Sequence, residues 1–169
     1  CDKHGILLIF DEVITGWGRT GSPFAAQEFN VTPDIMTLAK ATTNGVIPMG
    51  VVATRDGIYD TVVNSTPEGV IELFHGYTYS GIPAAVAAAL AVQDIFEKEN
   101  IFNRVKEIIP YFQEALHSLK DLECVENIRG YGLLGGVDIR KKDKPGKAGF
   151  QVYKACYENG VNFKATGDA

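Results

Sequence analysis

Ile6-Leu7-Leu8-Ile9-Phe10-Asp11-Glu12 is an unbroken apolar run closed by two acids. A strand without apolar/polar alternation is buried on both faces, as in a parallel sheet flanked by helices. The end of such a strand lies at the carboxyl edge of an open α/β sheet, where ligands bind. Asp11 falls there. A carboxylate taken out of water holds its charge only when a cation faces it. A metal-bound nucleotide and the protonated nitrogen of a bound cofactor are two sources of that cation, and a plain structural carboxylate is the remaining reading. Glu12, one residue on, reads as structural.

Outward from this strand, Gly16, Gly18 and Gly21 mark a long turn, and Phe24 to Phe29 reads as a short helix. A second apolar run, Ile35-Met36-Thr37-Leu38-Ala39, ends on Lys40, and Met49 to Thr54 reads as a third strand. Lys40 repeats the pattern of Asp11, a lone charged side chain delivered by a buried strand. Partly buried there, its amine is suited to form a Schiff base with a carbonyl cofactor, although a surface or salt-bridged lysine is the plain alternative. An acid and a lysine at neighbouring strand ends match the pairing that pyridoxal phosphate uses. Further on, Gly76-Tyr77-Thr78-Tyr79-Ser80-Gly81 offers a hydroxyl, glycines and backbone N–H groups ahead of a helix, a combination able to hold a phosphate.

The remaining chain reads as helices around Ile58 to Val63 and from Ala84 to Lys98, the latter entered through Pro83. Val105, Ile108, Ile109, Phe112, Leu116 and Leu119 follow a helical period, with Pro110 expected to kink that helix or move its start. Cys124 to Ile128 and Leu133 to Ile139 read as strands around the turn Arg129-Gly130-Tyr131-Gly132. Then come a charged loop from Lys141 to Lys147, a helix from Phe150 to Glu158, and one more strand at Val161 to Phe163. The character changes near residue 100, so residues 1–100 are assigned to an α/β domain and 101–169 to part of an α+β domain. The first residues, without an initiator Met, read as the interior of a larger protein.

Composition narrows the function. Over 169 residues, 16 Lys+Arg stand against 21 Asp+Glu, a net charge of −5, with no basic run of the kind that nucleic acid requires. No apolar stretch reaches the ~18 residues of a membrane span. With 46% hydrophobic residues the chain can build a core. Cys1, Cys124 and Cys156 form no CxxC pair and suit a reducing, cytoplasmic setting; no metal site is expected.

Ile9 to Gly21, Ile-Phe-Asp-Glu-Val-Ile-Thr-Gly-Trp-Gly-Arg-Thr-Gly, resembles the signature of the class III pyridoxal-phosphate aminotransferases. Pro33 to Lys40 and His75 to Gly81 are similar to two further blocks of that family in the same order, and Arg129-Gly130-Tyr131-Gly132-Leu133 to a fourth. The resemblance implies the large domain of an aspartate-aminotransferase-like transferase, a mostly parallel sheet with flanking helices, followed by part of the C-terminal small domain. It implies that residues 1–100 are the second half of the cofactor-binding domain. Lys40 would carry the Schiff base and shuttle a proton, Asp11 would pair with the pyridinium nitrogen, and Val13 would pack on the ring. Tyr77 and Thr78 would bind the phosphate across the interface of a homodimer. Trp17 and Arg19 match signature positions and read as structural.

Thr43-Asn44-Gly45 and Ile47-Pro48-Met49-Gly50 resemble the ω-amino acid:pyruvate branch. That implies an amine or ω-amino acid donor such as β-alanine and a 2-oxo acid acceptor, pyruvate. Ile82 departs from the histidine frequent in the family. Lys164 stands where many relatives of this branch place an arginine against the substrate carboxylate; lysine keeps the charge and loses the bidentate fork. Family members are much longer, so the 169 residues alone are expected to be inactive. Other readings are a decarboxylase or aminomutase on the same fold, an inactive truncated fragment, and an ATPase with Asp11-Glu12 ending a Walker-B strand. The last lacks the phosphate-loop motif it would need.

Overall fold

The computed structural model describes residues 1–141 and 144–168. These form two compact units, Cys1–Val105 and the residues from Lys106 onward.

The first unit is built on three strands, β1 (Ile9–Asp11), β2 (Ile35–Leu38) and β3 (Val51–Thr54), in the order β1-β2-β3. β1 and β2 run parallel, with Asp11 opposite Thr37. β3 pairs antiparallel to β2, an edge arrangement common on otherwise parallel sheets. At the far end of the sheet Asp34 ties the strands together. Its carboxylate accepts from the Leu8 N–H (2.7 Å) and pairs with Arg55 (3.2 Å). The run from Ile6 is expected to be buried on both faces, and here the structure differs. Ile6, Leu7 and Ile9 are 59%, 56% and 58% exposed. β1 has β2 as its one neighbour among the described residues, so its other edge and much of its surface meet water.

Four helices begin in this unit. α1 (Ala25–Glu28) is one turn long, and α2 (Asp56–Ser65) follows β3. α3 (Pro83–Lys98) starts with proline in its first turn, where the missing N–H is harmless, and is rich in alanine, the strongest helix former. Its Ala85 and Ala89, four residues apart on one face, are buried. α4 (Ile101–His117) crosses from the first unit to the second without interruption at Pro110. The helix is not interrupted at Pro110, and its start at Ile101 lies nine residues before the proline. Proline deprives the carbonyl of Lys106 of its donor, but both residues are exposed and water can take that place.

The second unit contains an antiparallel hairpin of β4 (Val125–Tyr131) and β5 (Leu134–Ile139), followed by α5 (Lys147–Glu158). β4 extends through the residues expected to form the turn, and Gly132-Leu133 makes the tight loop, with Gly132 at φ 59°. Gln113 of α4 donates to the carbonyls of Gly132 (2.7 Å) and Leu134 (3.2 Å). A Cβ at Gly135 would lie 2.6 Å from Leu116, so glycine there lets α4 lie close on the hairpin. Val125, Ile139 and Ala148 form the core. The Arg129 guanidinium bonds Asp138 at 2.6 Å and holds its carboxyl below the usual range. The strand expected at Val161 to Phe163 is irregular chain. The charged loop expected from Lys141 lies partly outside the described residues.

Candidate active site

Three left-handed residues mark the motif blocks. Outside glycine and asparagine, positive φ occurs among the described residues at Trp17 (68°), Lys40 (45°) and Tyr77 (52°). Such residues cost roughly 1–2 kcal/mol each and persist where surrounding contacts hold them.

At Lys40 those contacts are visible. β2 ends at Leu38, and Lys40–Thr42 turns at once into a single 3₁₀ turn. The Lys40 carbonyl accepts from the Gly45 N–H (3.2 Å), the Thr42 hydroxyl bonds the Ala39 carbonyl (3.0 Å), and the Thr43 hydroxyl bonds the Ile47 carbonyl (2.6 Å). Thr42 also receives the indole N–H of Trp17 (3.0 Å). Trp17 lies parallel to Phe96 of α3 at 6.0 Å and edge-on to Phe24 at 5.2 Å. The glycine-rich signature after β1 thus buttresses the turn carrying the lysine, the structural part expected of Trp17. Arg19 is exposed.

Asp11 ends β1. Its Oδ1 accepts from the Val13 N–H (3.1 Å) and the Thr37 hydroxyl (3.2 Å), while Oδ2 has no hydrogen bond among the described residues. One carboxylate oxygen is pinned and the other left available. Asp11 and Lys40 are therefore linked through β2: Thr37, bonded to Asp11, lies three residues before the lysine. Thr37 was legible as the one polar residue in its strand, and its role was not foreseen.

Lys40 and the segment Tyr79-Ser80-Gly81-Ile82 line one cleft of about 700 Å³, with Ile47, Pro48 and Met49 on its wall. Tyr77 and Thr78 immediately precede that segment and lie outside the lining. The Tyr77 N–H bonds His75 Nδ1 (3.0 Å), their rings are 4.3 Å apart, and the Thr78 hydroxyl has no partner among the described residues. Asp11, Lys40, Tyr77 and Thr78 are all exposed and Val13 is half-buried. Burial of the Asp11 carboxylate and partial burial of the Lys40 amine, both expected, are not found. The described residues wall the site on one side, and water reaches it from the other.

Glu12 is the charged group that is buried, at 1% exposure. Its Oε2 accepts from the Ala25 N–H (2.7 Å) and the Thr15 hydroxyl (3.0 Å), and its Oε1 from the Ala26 N–H (2.7 Å). Both oxygens are committed to holding the start of α1. A Walker-B glutamate must instead face water at a nucleotide, so this geometry overturns the ATPase reading.

Lys164 belongs to the second unit and is exposed, without an ion pair among the described residues. The Phe163 ring stands edge-on to Tyr153 of α5 at 5.6 Å. On the other side, Asp168 Oδ2 accepts from the Gly146 N–H (2.8 Å) and Oδ1 from the Gly149 N–H (3.2 Å). These backbone donors, Gly146 foremost, hold the Asp168 carboxyl below its usual range.

The profile of the family "Aminotransferase class-III" matches residues 1–169, and the chain belongs to that family. It is 44% identical over 169 residues to an omega-aminotransferase of Caulobacter vibrioides, covering 99% of this chain and 38% of that protein. To an omega-amino acid–pyruvate aminotransferase of Pseudomonas putida it is 49% identical over 163 residues, 93% of this chain and 36% of the relative. A PLP-bound amine transaminase from an uncultivated Pseudomonas species superposes with a TM-score of 0.89 at 35% identity, covering 99% of this chain and 39% of the other. The chain thus spans well under half the length of the relatives it matches.

Proposed function

We propose that the whole protein transfers an amino group from an amine or ω-amino acid, such as β-alanine, to pyruvate, using pyridoxal phosphate. The observation that carries this reading is the placement of Asp11 and Lys40 at the ends of paired parallel strands, with Asp11 Oδ2 and the Lys40 amine both unpaired among the described residues. An available carboxylate and an available amine are the donor set that the cofactor's two reacting ends require, and the relatives' activities support the same class. Pyridoxal phosphate supplies an electrophilic carbonyl and an electron-withdrawing ring.

Lys40 Nζ would bind the carbonyl and, once displaced by a donor, would take a proton from the donor carbon and return it to the neighbouring position. Asp11 Oδ2 would face the ring nitrogen and keep it protonated, with Oδ1 held by Thr37 and Val13. Val13 would pack on a ring face. Tyr77 and Thr78 would hold the phosphate, across the interface of a homodimer. Lys164 would oppose a donor carboxylate as a point charge. Residues 1–100 would be the second half of the cofactor-binding large domain and 101–169 part of the small domain, in a cytoplasmic enzyme. No helix among the described residues is long and apolar enough to cross a membrane.

The test is a visible absorption band on adding pyridoxal phosphate to the whole protein, expected to vanish in Lys40→Ala. Absence of that band with Lys40 intact overturns the aminotransferase reading. Amine donors assayed against pyruvate and 2-oxoglutarate examine the branch. Faster turnover with pyruvate is expected, and equal rates would remove the pyruvate assignment.

A further inference from the structure

A short relay of hydrogen bonds reaches the backbone of Lys40 from the loop after β1. The Trp17 indole N–H donates to the Thr42 hydroxyl oxygen (3.0 Å). An indole nitrogen only donates and a threonine hydroxyl has one proton, so that proton is left for the Ala39 carbonyl, 3.0 Å away. The same carbonyl accepts from the Thr42 N–H (3.0 Å). On the other flank, the Lys40 carbonyl accepts from the Gly45 N–H (3.2 Å) and the Thr43 N–H (3.4 Å). Two planar peptide groups meet at the Lys40 Cα, and φ and ψ there are the soft torsions between them. Both groups are held, one of them by Thr42, and Lys40 stands at φ 45°. A lysine free to choose takes negative φ, and its Cβ would then leave the chain in another direction. Thr42 is buried, so bulk water does not compete for its hydroxyl.

We propose that Thr42 is a positioning residue for Lys40, its hydroxyl directed by Trp17, and that it holds the lysine in the left-handed conformation from which the amine meets a carbonyl cofactor. This rests on the aminotransferase reading and adds to it two residues that act through the Lys40 backbone. Trp17 then does more than pack. A phenylalanine would also fit between Phe24 and Phe96, but only the indole N–H decides where the Thr42 proton points.

The experiment uses the whole protein freed of cofactor and compares the binding of two probes, pyridoxal phosphate and pyridoxamine phosphate. The first has an aldehyde, to whose carbon the Lys40 amine adds with loss of water; the second has none and binds without that bond. Thr42→Val keeps the shape of the side chain and removes the hydroxyl. It should raise the Kd for pyridoxal phosphate about tenfold, the scale of one hydrogen bond, and leave that for pyridoxamine phosphate within about twofold. Thr42→Ser keeps the hydroxyl and should restore the parent affinity. Trp17→Phe leaves the hydroxyl in place but undirected, and should weaken pyridoxal phosphate by about threefold. The double variant should lose no more than Thr42→Val alone, because both changes act through one hydroxyl.

Equal losses for the two probes overturn the inference, since general damage to the site weakens both. An unchanged Kd for pyridoxal phosphate in Thr42→Val, or no recovery in Thr42→Ser, also overturns it, with the aminotransferase reading intact. A parent that gives no Lys40-dependent band with pyridoxal phosphate overturns that reading first, and the role of Thr42 with it.

Discussion

A helix start normally recruits its own N-cap side chain to satisfy the first free N–H groups. α1 has Phe24 in that position and borrows the carboxylate of Glu12 instead. Glu12→Ala would leave one buried and one partly buried N–H group, those of Ala25 and Ala26, without a partner, and a loss of roughly 3 kcal/mol is expected, read from the midpoint of a urea titration. Glu12→Gln keeps one good acceptor and should lose less. Asp168 makes the same kind of contact at α5, and its titration has a defined sign. Its folded pKa is depressed by the Gly146 and Gly149 N–H groups, so its contribution is complete above the unfolded value of about 4 and is lost as pH falls through the lower folded value. The stability of Asp168→Asn relative to the parent should therefore improve as the pH drops below about 4, and thermal melts between pH 3 and pH 6 check it. Glu12 was readable as structural, one residue beyond the strand end at Asp11. Which helix it would hold was not readable, because the Ala25 N–H it meets lies across a turn whose path depends on Trp17 and its neighbours.

Helices and strands were legible in proportion to how local their causes are. α3 was readable from its alanines and Pro83, and β4 and β5 as two strands, although the turn expected at Arg129 to Gly132 proved to be mostly β4. β1 was readable as a strand, but its burial was not, since burial belongs to whatever lies against it. The strand expected at Val161 to Phe163 failed for a related reason: apolar residues there found Tyr153 on a helix rather than a pairing strand. Pro110 shows local and tertiary causes in conflict. The propensity rule stops or bends the helix there, yet Gln113 and Leu116, about one and nearly two turns on, are held against the hairpin, and α4 runs on without interruption. Pro110 is exposed, so replacing it by alanine should restore a hydrogen bond without disturbing packing. Pro110→Ala is expected to stabilise the second unit by about 1–3 kcal/mol, measured by denaturant unfolding. A destabilised variant would show that the ring makes a contact worth more than the bond it forfeits.

The whole chain exposes 12315 Å² of surface, about half as much again as the roughly 8,100 Å² of a folded monomer of its mass. The excess is partly apolar: Phe74 is 95% exposed, and Tyr79, Val70 and Ile71 near it are exposed as well. The buried apolar side chains are small in the first unit, Ala25, Ala85 and Ala89 with Leu38, and the second unit has its own cluster around Val125 and Ile139. Each unit therefore has a core of its own and no reason to unfold at the same denaturant concentration. The chain carries one tryptophan, and Trp17 lies in the first unit between Phe24 and Phe96. Its fluorescence reports the turn that holds Lys40, whereas far-UV circular dichroism also follows the hairpin and α5. Guanidinium unfolding of this chain should give different midpoints by the two probes, with the fluorescence change complete before the dichroism change. The order follows from the cores: alanines bury little apolar area per side chain, so the unit carrying Lys40 is the less stable of the two. Coincident transitions would mean that the units unfold as one, and the small core around Leu38 would then need support from the second unit. Added pyridoxal phosphate should move the fluorescence transition alone to higher denaturant if Lys40 binds it in this chain, and Lys40→Ala should abolish that shift.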